Sequence, residues 1–344
     1  MRLNSLDFTR FTAALSIALY HYIARNDSDS LLVFKEMTKF GYLAVPLFFM
    51  ISGYSISFSA HKKSAIEFAI SRFFRLYPTY WICICITCII SALCGTYNYT
   101  LSQLLANLTM LNDYLGFKDI DGIYWTLHVQ LKYYGCVFIL LLFGIFHKYK
   151  LWLSIWIILT VVHLITCKPF FMGWFISPTY SSFFISGVSF YLIHKYGPNV
   201  YNLSILIISF VISLLRGFEQ VSGFITNPHI VDQLIALLFI TFFYILFYSI
   251  ITGHFCLSTK NYFIILGGLS YPFFLIHNVA GKSIIDNFKE IIPEWFLIIC
   301  ILFLFLVISY LVYYFIDNKI SSLMKSKLIE LYKIMISSTN KNYT

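Results

Sequence analysis

A chain of 344 residues that is 59% hydrophobic, 20% aromatic and only 11% charged, with a mean hydropathy of +0.79, lies far from soluble composition. A soluble domain charges roughly a quarter of its residues to cover its core, so a polytopic membrane protein remains, and disorder, collagen and a secreted disulfide scaffold are excluded. The net charge of +9 comes from 24 Lys+Arg against 15 Asp+Glu, but the basic residues stand between apolar runs, as topology signals do, rather than in the aromatic-laced clusters of a nucleic-acid partner.

In chain order, apolar segments of spanning length are predicted at roughly residues 6–24, 40–59, 77–95, 124–146, 150–167, 176–194, 201–216, 231–252, 262–281 and 295–316. The expected fold is all-α: about ten transmembrane helices around a central polar cavity, in one integral-membrane domain over 1–344 with a short basic tail from about 318. The loops alternate in charge. Lys62, Lys63, Arg72 and Arg75, then Lys148 and Lys150, Lys195 and Lys260 mark one side. Asp27 and Asp29, then Asp113, Asp119 and Asp121, Glu219, and Asp286, Glu290 and Glu294 mark the other. The positive-inside rule then puts both termini in the cytoplasm. No cleavable signal peptide is expected, because the first apolar run carries Arg10 and no small-residue cleavage site follows it. The segment from Gly95 to Ile123 reads as an outer lid or a re-entrant loop.

Charges within a span cost about 2.5 to 3.5 kcal/mol each on insertion scales, so each needs a reason. The first segment holds Asp7, Arg10 and His21. Eleven steps of about 100° return Arg10 and His21 to one face, about 16 Å apart along the axis, and Asp7 pairs with Arg10 at i,i+3. One reading is an interfacial ion pair snorkelling at the inner surface with a histidine at the outer one. The other is a polar stripe facing the cavity, with His21 as general base.

Further along, Ser52, Gly53 and Tyr54 follow Phe48-Phe49; a Ser-Gly pair in such a helix permits close packing. Arg72 and Arg75, one turn apart before Leu-Tyr-Pro78, read either as positive-inside anchoring or as two guanidinium forks for phosphate. Cys85-x-x-Cys88 has no partner pair at ligand spacing, so no metal is expected. Trp125-Thr-Leu-His-Val-Gln130 opens the fourth span and Lys132 lies within it, while Ser270-Tyr271-Pro272 leads to His277 in the ninth, at the depth of His21. A lone membrane histidine is more often a helix-to-helix hydrogen-bonding group than a catalyst.

Together these motifs resemble the acyltransferase-3 family of membrane-bound O-acyltransferases along the length of the chain. Leu6-Asp7-x-x-Arg10 with His21 is similar to the family's first-helix Arg-x10-His signature, Phe48-Phe49-x-x-Ser52-Gly53-Tyr54 to its second-helix motif, and Arg72-x-x-Arg75-Leu-Tyr-Pro78 to its arginine motif. Ser270-Tyr271 with His277 resembles the ninth-helix motif, and Asp317 stands where an acidic residue commonly ends the last span. Two positions depart: Pro46 replaces a common acidic residue, and Gln130 stands where the Trp-Ser/Thr-Leu motif leads to Glu, which removes an acid/base role there.

The resemblance, which extends to the short stand-alone O-antigen acetylases, implies a multi-pass protein of the bacterial inner membrane. It implies acetyl-CoA as cytoplasmic donor and a carbohydrate hydroxyl, lipid-linked or in O-antigen polysaccharide, as acceptor. His21 is then the expected base, with His277 the second candidate. Arg10 is held by Asp7, Arg72 and Arg75 grip the CoA phosphates, and Ser52, Tyr54, Trp125, Gln130 and Tyr271 position substrate. The partners expected are membrane lipids, acetyl-CoA and the saccharide, with no nucleic acid. The rival from another class is a transporter or flippase of lipid-linked saccharide whose path Asp7, Arg10 and His21 line.

Overall fold

The computed structural model describes residues 3–26, 31–167, 173, 176–257 and 261–341, and every regular element among them is a helix. Asp27, Asp29 and Lys260 lie outside the described residues. Helix α1 (Asn4–Leu19) runs on as a π-helical turn, Tyr20–Ala24. Then come α2 (Leu32–Thr38), joined through a 3-10 turn to α3 (Ala44–Ala60), α4 (Ala65–Leu93), the short α5 (Leu101–Leu108), α6 (Trp125–Leu142) and α7 (Tyr149–Thr166). They are followed by α8 (Pro178–Tyr196), α9 (Val200–Phe224), α10 (Ile230–Ile251), α11 (Asn261–Ile276) and α12 (Val279–Phe288). The last is α13 (Glu294–Val312), which passes through a second π-helical stretch, Tyr313–Ser321, into the tail helix α14 (Ser322–Lys341).

Each of the segments expected to span falls on a helix, but the described residues contain 7 helices long and apolar enough to cross a membrane, or 8 if α11 and α12, bent by 63° at their junction, form one span. The two that fall short are the first and sixth, and for physical reasons. Helix α1 carries Asn4, Asp7 and Arg10. Helix α8 carries Ser181, Ser182, Ser186 and Ser189 and is buried on every side from Ser181 to Ile193. A helix enclosed by other helices has no lipid-facing surface and is free of the apolar requirement that exposed spans must meet.

The enclosure of α8 is made by α3 on one side and by α7, α9 and α10 on the others. At the α3–α8 crossing a Cβ on Gly53 would run into the carbonyl of Phe184, and one on Gly187 into that of Met50. Backbone touches backbone there, the arrangement that small residues permit between membrane helices. Helix α1 packs on α11 and α3 in the same way, with the Asp7 side chain occupying the space left by Gly267. Helix α4 starts on a capping box, Ser64 with Glu67, and its 29 residues exceed a span of about 20. Between α4 and α6 the chain folds into a compact cap. Asn107 bridges Lys118 O (3.0 Å) and Ile120 N (3.0 Å), and Asn112 donates to Asp119 Oδ1 (2.9 Å).

Gly53→Val is expected to destabilise the bundle by about 2 kcal/mol or more through overpacking at the crossing, read as a lower melting temperature of detergent-purified protein. An unchanged melting temperature would contradict a backbone-to-backbone crossing.

Candidate functional site

Two polar cavities open at opposite ends of α1. The first, of about 670 Å³, is lined by Asp7 and Arg10 of α1, Ser52, Tyr54 and Ser55 of α3, Arg72 and Arg75 of α4, Gln130 and Tyr134 of α6, Tyr271 of α11, Asp317, and Lys325 of α14. Leu3 and Lys325 both line it, so the start of the described chain and the first turn of the tail helix meet at this mouth. The second, of about 630 Å³, is lined by His21, Tyr22, Arg25, Asn26, Lys282, Asp286, Lys289, Glu290 and Glu294 among others. The two share no lining residue.

In the first cavity Asp7 is buried against Gly267 and holds Arg10 through its Nη1 (3.4 Å). Arg10 Nη2 donates to Ser55 Oγ (2.6 Å), which aims the guanidinium across to α3. Arg75 forms an ion pair with Asp317, whose other oxygen accepts from Thr79 Oγ1 (3.3 Å), and its guanidinium lies 5.8 Å from the centre of the Tyr271 ring. Tyr271 OH donates to Leu76 O (3.2 Å), tying α11 to α4. Arg72 stacks between Phe68 and Tyr134, at 5.6 Å and 5.7 Å. Gln130 Nε2 donates to Tyr134 OH (2.6 Å), an amide-to-phenol bond. Tyr54 OH shares a 2.5 Å hydrogen bond with His194 Nδ1.

Of the residues singled out in the sequence, Asp7, Arg10, Ser52, Tyr54, Arg72, Arg75, Gln130 and Tyr271 therefore lie around one cavity. Trp125 does not line it; its ring packs on Tyr180 (5.0 Å) and Phe49 (6.3 Å). His21 faces the second cavity, and the His277 ring lies 5.4 Å behind it. His277 is fully buried; its Nδ1 meets Phe274 O at 2.7 Å, which makes Nδ1 the protonated nitrogen and leaves Nε2 as an acceptor with no partner. Nδ1 of His21 is likewise buried without a partner.

Three features had no sequence signal strong enough to single them out. The first is the pair of π-helical stretches, which carry His21 and Asp317; such irregular turns are frequent at functional sites. The second is Lys325, which looks like any tail lysine. The third is Asp121. Its carboxylate accepts from Asn278 Nδ2 (2.6 Å), Val279 N (2.8 Å) and Ile123 N (3.1 Å), clamping the cap onto the break between α11 and α12. Beside it, Tyr22 OH donates to His277 O (2.5 Å). The break that aims His277 is thus held from two directions.

Burial pushes the Asp121 carboxyl up to about 6, against the opposing pull of its hydrogen-bond donors. A carboxyl raised in the folded state stabilises it fully below about pH 4 and loses that contribution as pH rises through about 6. The melting temperature of the purified protein is expected to carry this downward slope between those values, and Asp121→Asn is expected to lose it. An identical slope in the variant would remove Asp121 as its source.

No group of three or more His, Cys, Asp or Glu side chains among the described residues could hold a metal ion. Residues 3–314 match the family model of the acyltransferase-3 group, described as an acyltransferase domain. No curated protein and no solved structure matches the chain.

Proposed function

This chain belongs to the acyltransferase-3 family, and from that premise we propose that it is an O-acetyltransferase of the bacterial inner membrane that moves an acetyl group from cytoplasmic acetyl-CoA to a sugar hydroxyl of lipopolysaccharide O-antigen. The observation that carries this reading is the division of labour along α1: Arg10, Arg72 and Arg75 at one mouth and His21 at the other. A donor with a polyanionic nucleotide at one end and a thioester at the other fits the first mouth, and a neutral saccharide hydroxyl needs only a base at the second. The basic loops, Lys62 to Arg75 and Lys148 to Lys150, favour the cytoplasm for the arginine end.

In this scheme Arg72, and Arg75 from within its pair with Asp317, hold the CoA phosphates. The acetyl-pantetheine arm points along α1 from Arg10 towards His21, and its passage requires the neighbouring helices to part from Ala14, Ile17 and Ala18, which are buried between the two mouths. Ser52, Tyr54, Gln130 and Tyr271 line its entrance. His21 takes the proton of the sugar hydroxyl as the oxygen bonds to the thioester carbonyl carbon; the C–S bond breaks, and the proton passes to the departing CoA thiolate. His277 supports His21 from behind as a positioning residue.

His21→Ala is expected to insert and fold normally yet to lower O-acetylation by about 100-fold or more, measured by mass spectrometry of surface polysaccharide from cells carrying only the variant. Wild-type acetylation would take His21 out of the mechanism. Arg72→Ala and Arg75→Ala are each expected to weaken acetyl-CoA binding about tenfold in detergent, and unchanged donor affinity would exclude the first mouth as the donor site.

A further inference from the structure

The rim of the arginine-lined cavity concentrates positive charge. Lys63, in the turn between α3 and α4, donates to Ser59 Oγ (3.1 Å) and Ser71 Oγ (2.9 Å). Arg72 Nη2 donates to the same Ser59 oxygen (3.0 Å). Two cations thus share neutral hydroxyls with no carboxylate between them. The nearby Glu67 is engaged elsewhere, accepting from Ser64 N (3.1 Å) and pairing with Lys333 of α14 (3.3 Å). That second contact ties down the tail helix whose Lys325 lines the cavity beside Arg72.

None of Lys63, Arg72 and Lys325 forms an ion pair among the described residues, whereas Arg75 has Asp317 and Arg10 has Asp7. Nε of Arg72 is buried and has no hydrogen-bond partner. Burial, together with the charges of Arg72 and Lys325, draws the Lys63 ammonium down to about 8. Like charges gathered at a half-buried rim repel one another, and a bound anion relieves both the repulsion and the unmet donor.

We propose that Lys63, Arg72 and Lys325 form a subsite for a phosphomonoester dianion, the 3′-phosphate on the ribose of CoA. This rests on the reading of CoA as donor. The chemistry favours the monoester over the diphosphate bridge: it carries close to two charges on three terminal oxygens at one point, which suits three cations converging from a turn, a helix and the tail. The position favours it as well. When the thin acyl arm points inward past Arg10, the nucleotide stays at the rim, where Lys63 and Lys325 are. The tail residue lies beyond the 3–314 stretch matched by the family, so Lys325 adds to this grip from outside the shared domain.

The test is the affinity of the purified full chain for acetyl-CoA and for acetyl-3′-dephospho-CoA, in wild type and in the Lys63→Gln/Lys325→Gln variant. Wild type is expected to prefer acetyl-CoA by about tenfold or more, and the double variant to bind the two donors alike. Equal binding of both donors by wild type overturns the subsite alone, with no variant needed. A preference that survives in the double variant assigns the 3′-phosphate to other residues and likewise overturns it. Failure of wild type to bind either donor overturns the CoA reading, and the subsite with it.

Discussion

A charge placed among membrane-spanning helices must find its counter-charge inside the protein, and the pairing of Asp7 with Arg10 meets that constraint within a single turn of α1. Much of the architecture follows from it. Gly267 of α11 gives the Asp7 carboxylate room, which draws α11 onto α1. Ser55 receives the far side of the guanidinium, which registers α3 against α1. Arg75 and Asp317 repeat the arrangement between α4 and the end of the last span. The cavity between them takes its charged groups from these pairs and sets them among apolar side chains such as Val45, Phe48 and Phe274.

The sequence made the class of fold and the arginine-lined cluster readable, because both rest on composition and local spacing. Apolar runs marked the helices, and Asp7, Arg10, Arg72 and Arg75 stood out because charge at those positions is costly. What remained hidden depends on long-range packing or on departures from ideal helix geometry. A constant 100° step puts Arg10 and His21 on one face, and nothing in Leu19-Tyr20-His21 announces the π-helical turn that begins at Tyr20. Helix α8 gave a spanning signal although its serines suit burial among helices instead of contact with lipid. Trp125 matched a motif but spends its ring on Tyr180 and Phe49. Asp121 resembled a loop acid, and only the fold reveals that two donors from one distant segment join the neighbouring Ile123 N–H on it.

The two π-helical stretches fall where His21 and Asp317 reach the two cavities. Each occurs as a helix reaches the end of a cavity: Tyr20–Ala24 presents His21, and Tyr313–Ser321 presents Asp317 to Arg75. An extra residue in the turn weakens the local backbone ladder, and tertiary contacts hold the distortion in place. Tyr22, at the first of these, reaches the carbonyl of His277, so the distortion of one helix and the break in another support each other.

The two mouths do not meet, and the side chains that helical spacing sets between Arg10 and His21 are Ala14, Ile17 and Ala18, all buried. Such a septum of methyl groups offers nothing to coordinate a hydrated ion. A cell that stores energy as a voltage across this bilayer can therefore keep the protein in place without an electrical short-circuit, even though a cavity enters the bundle from each end.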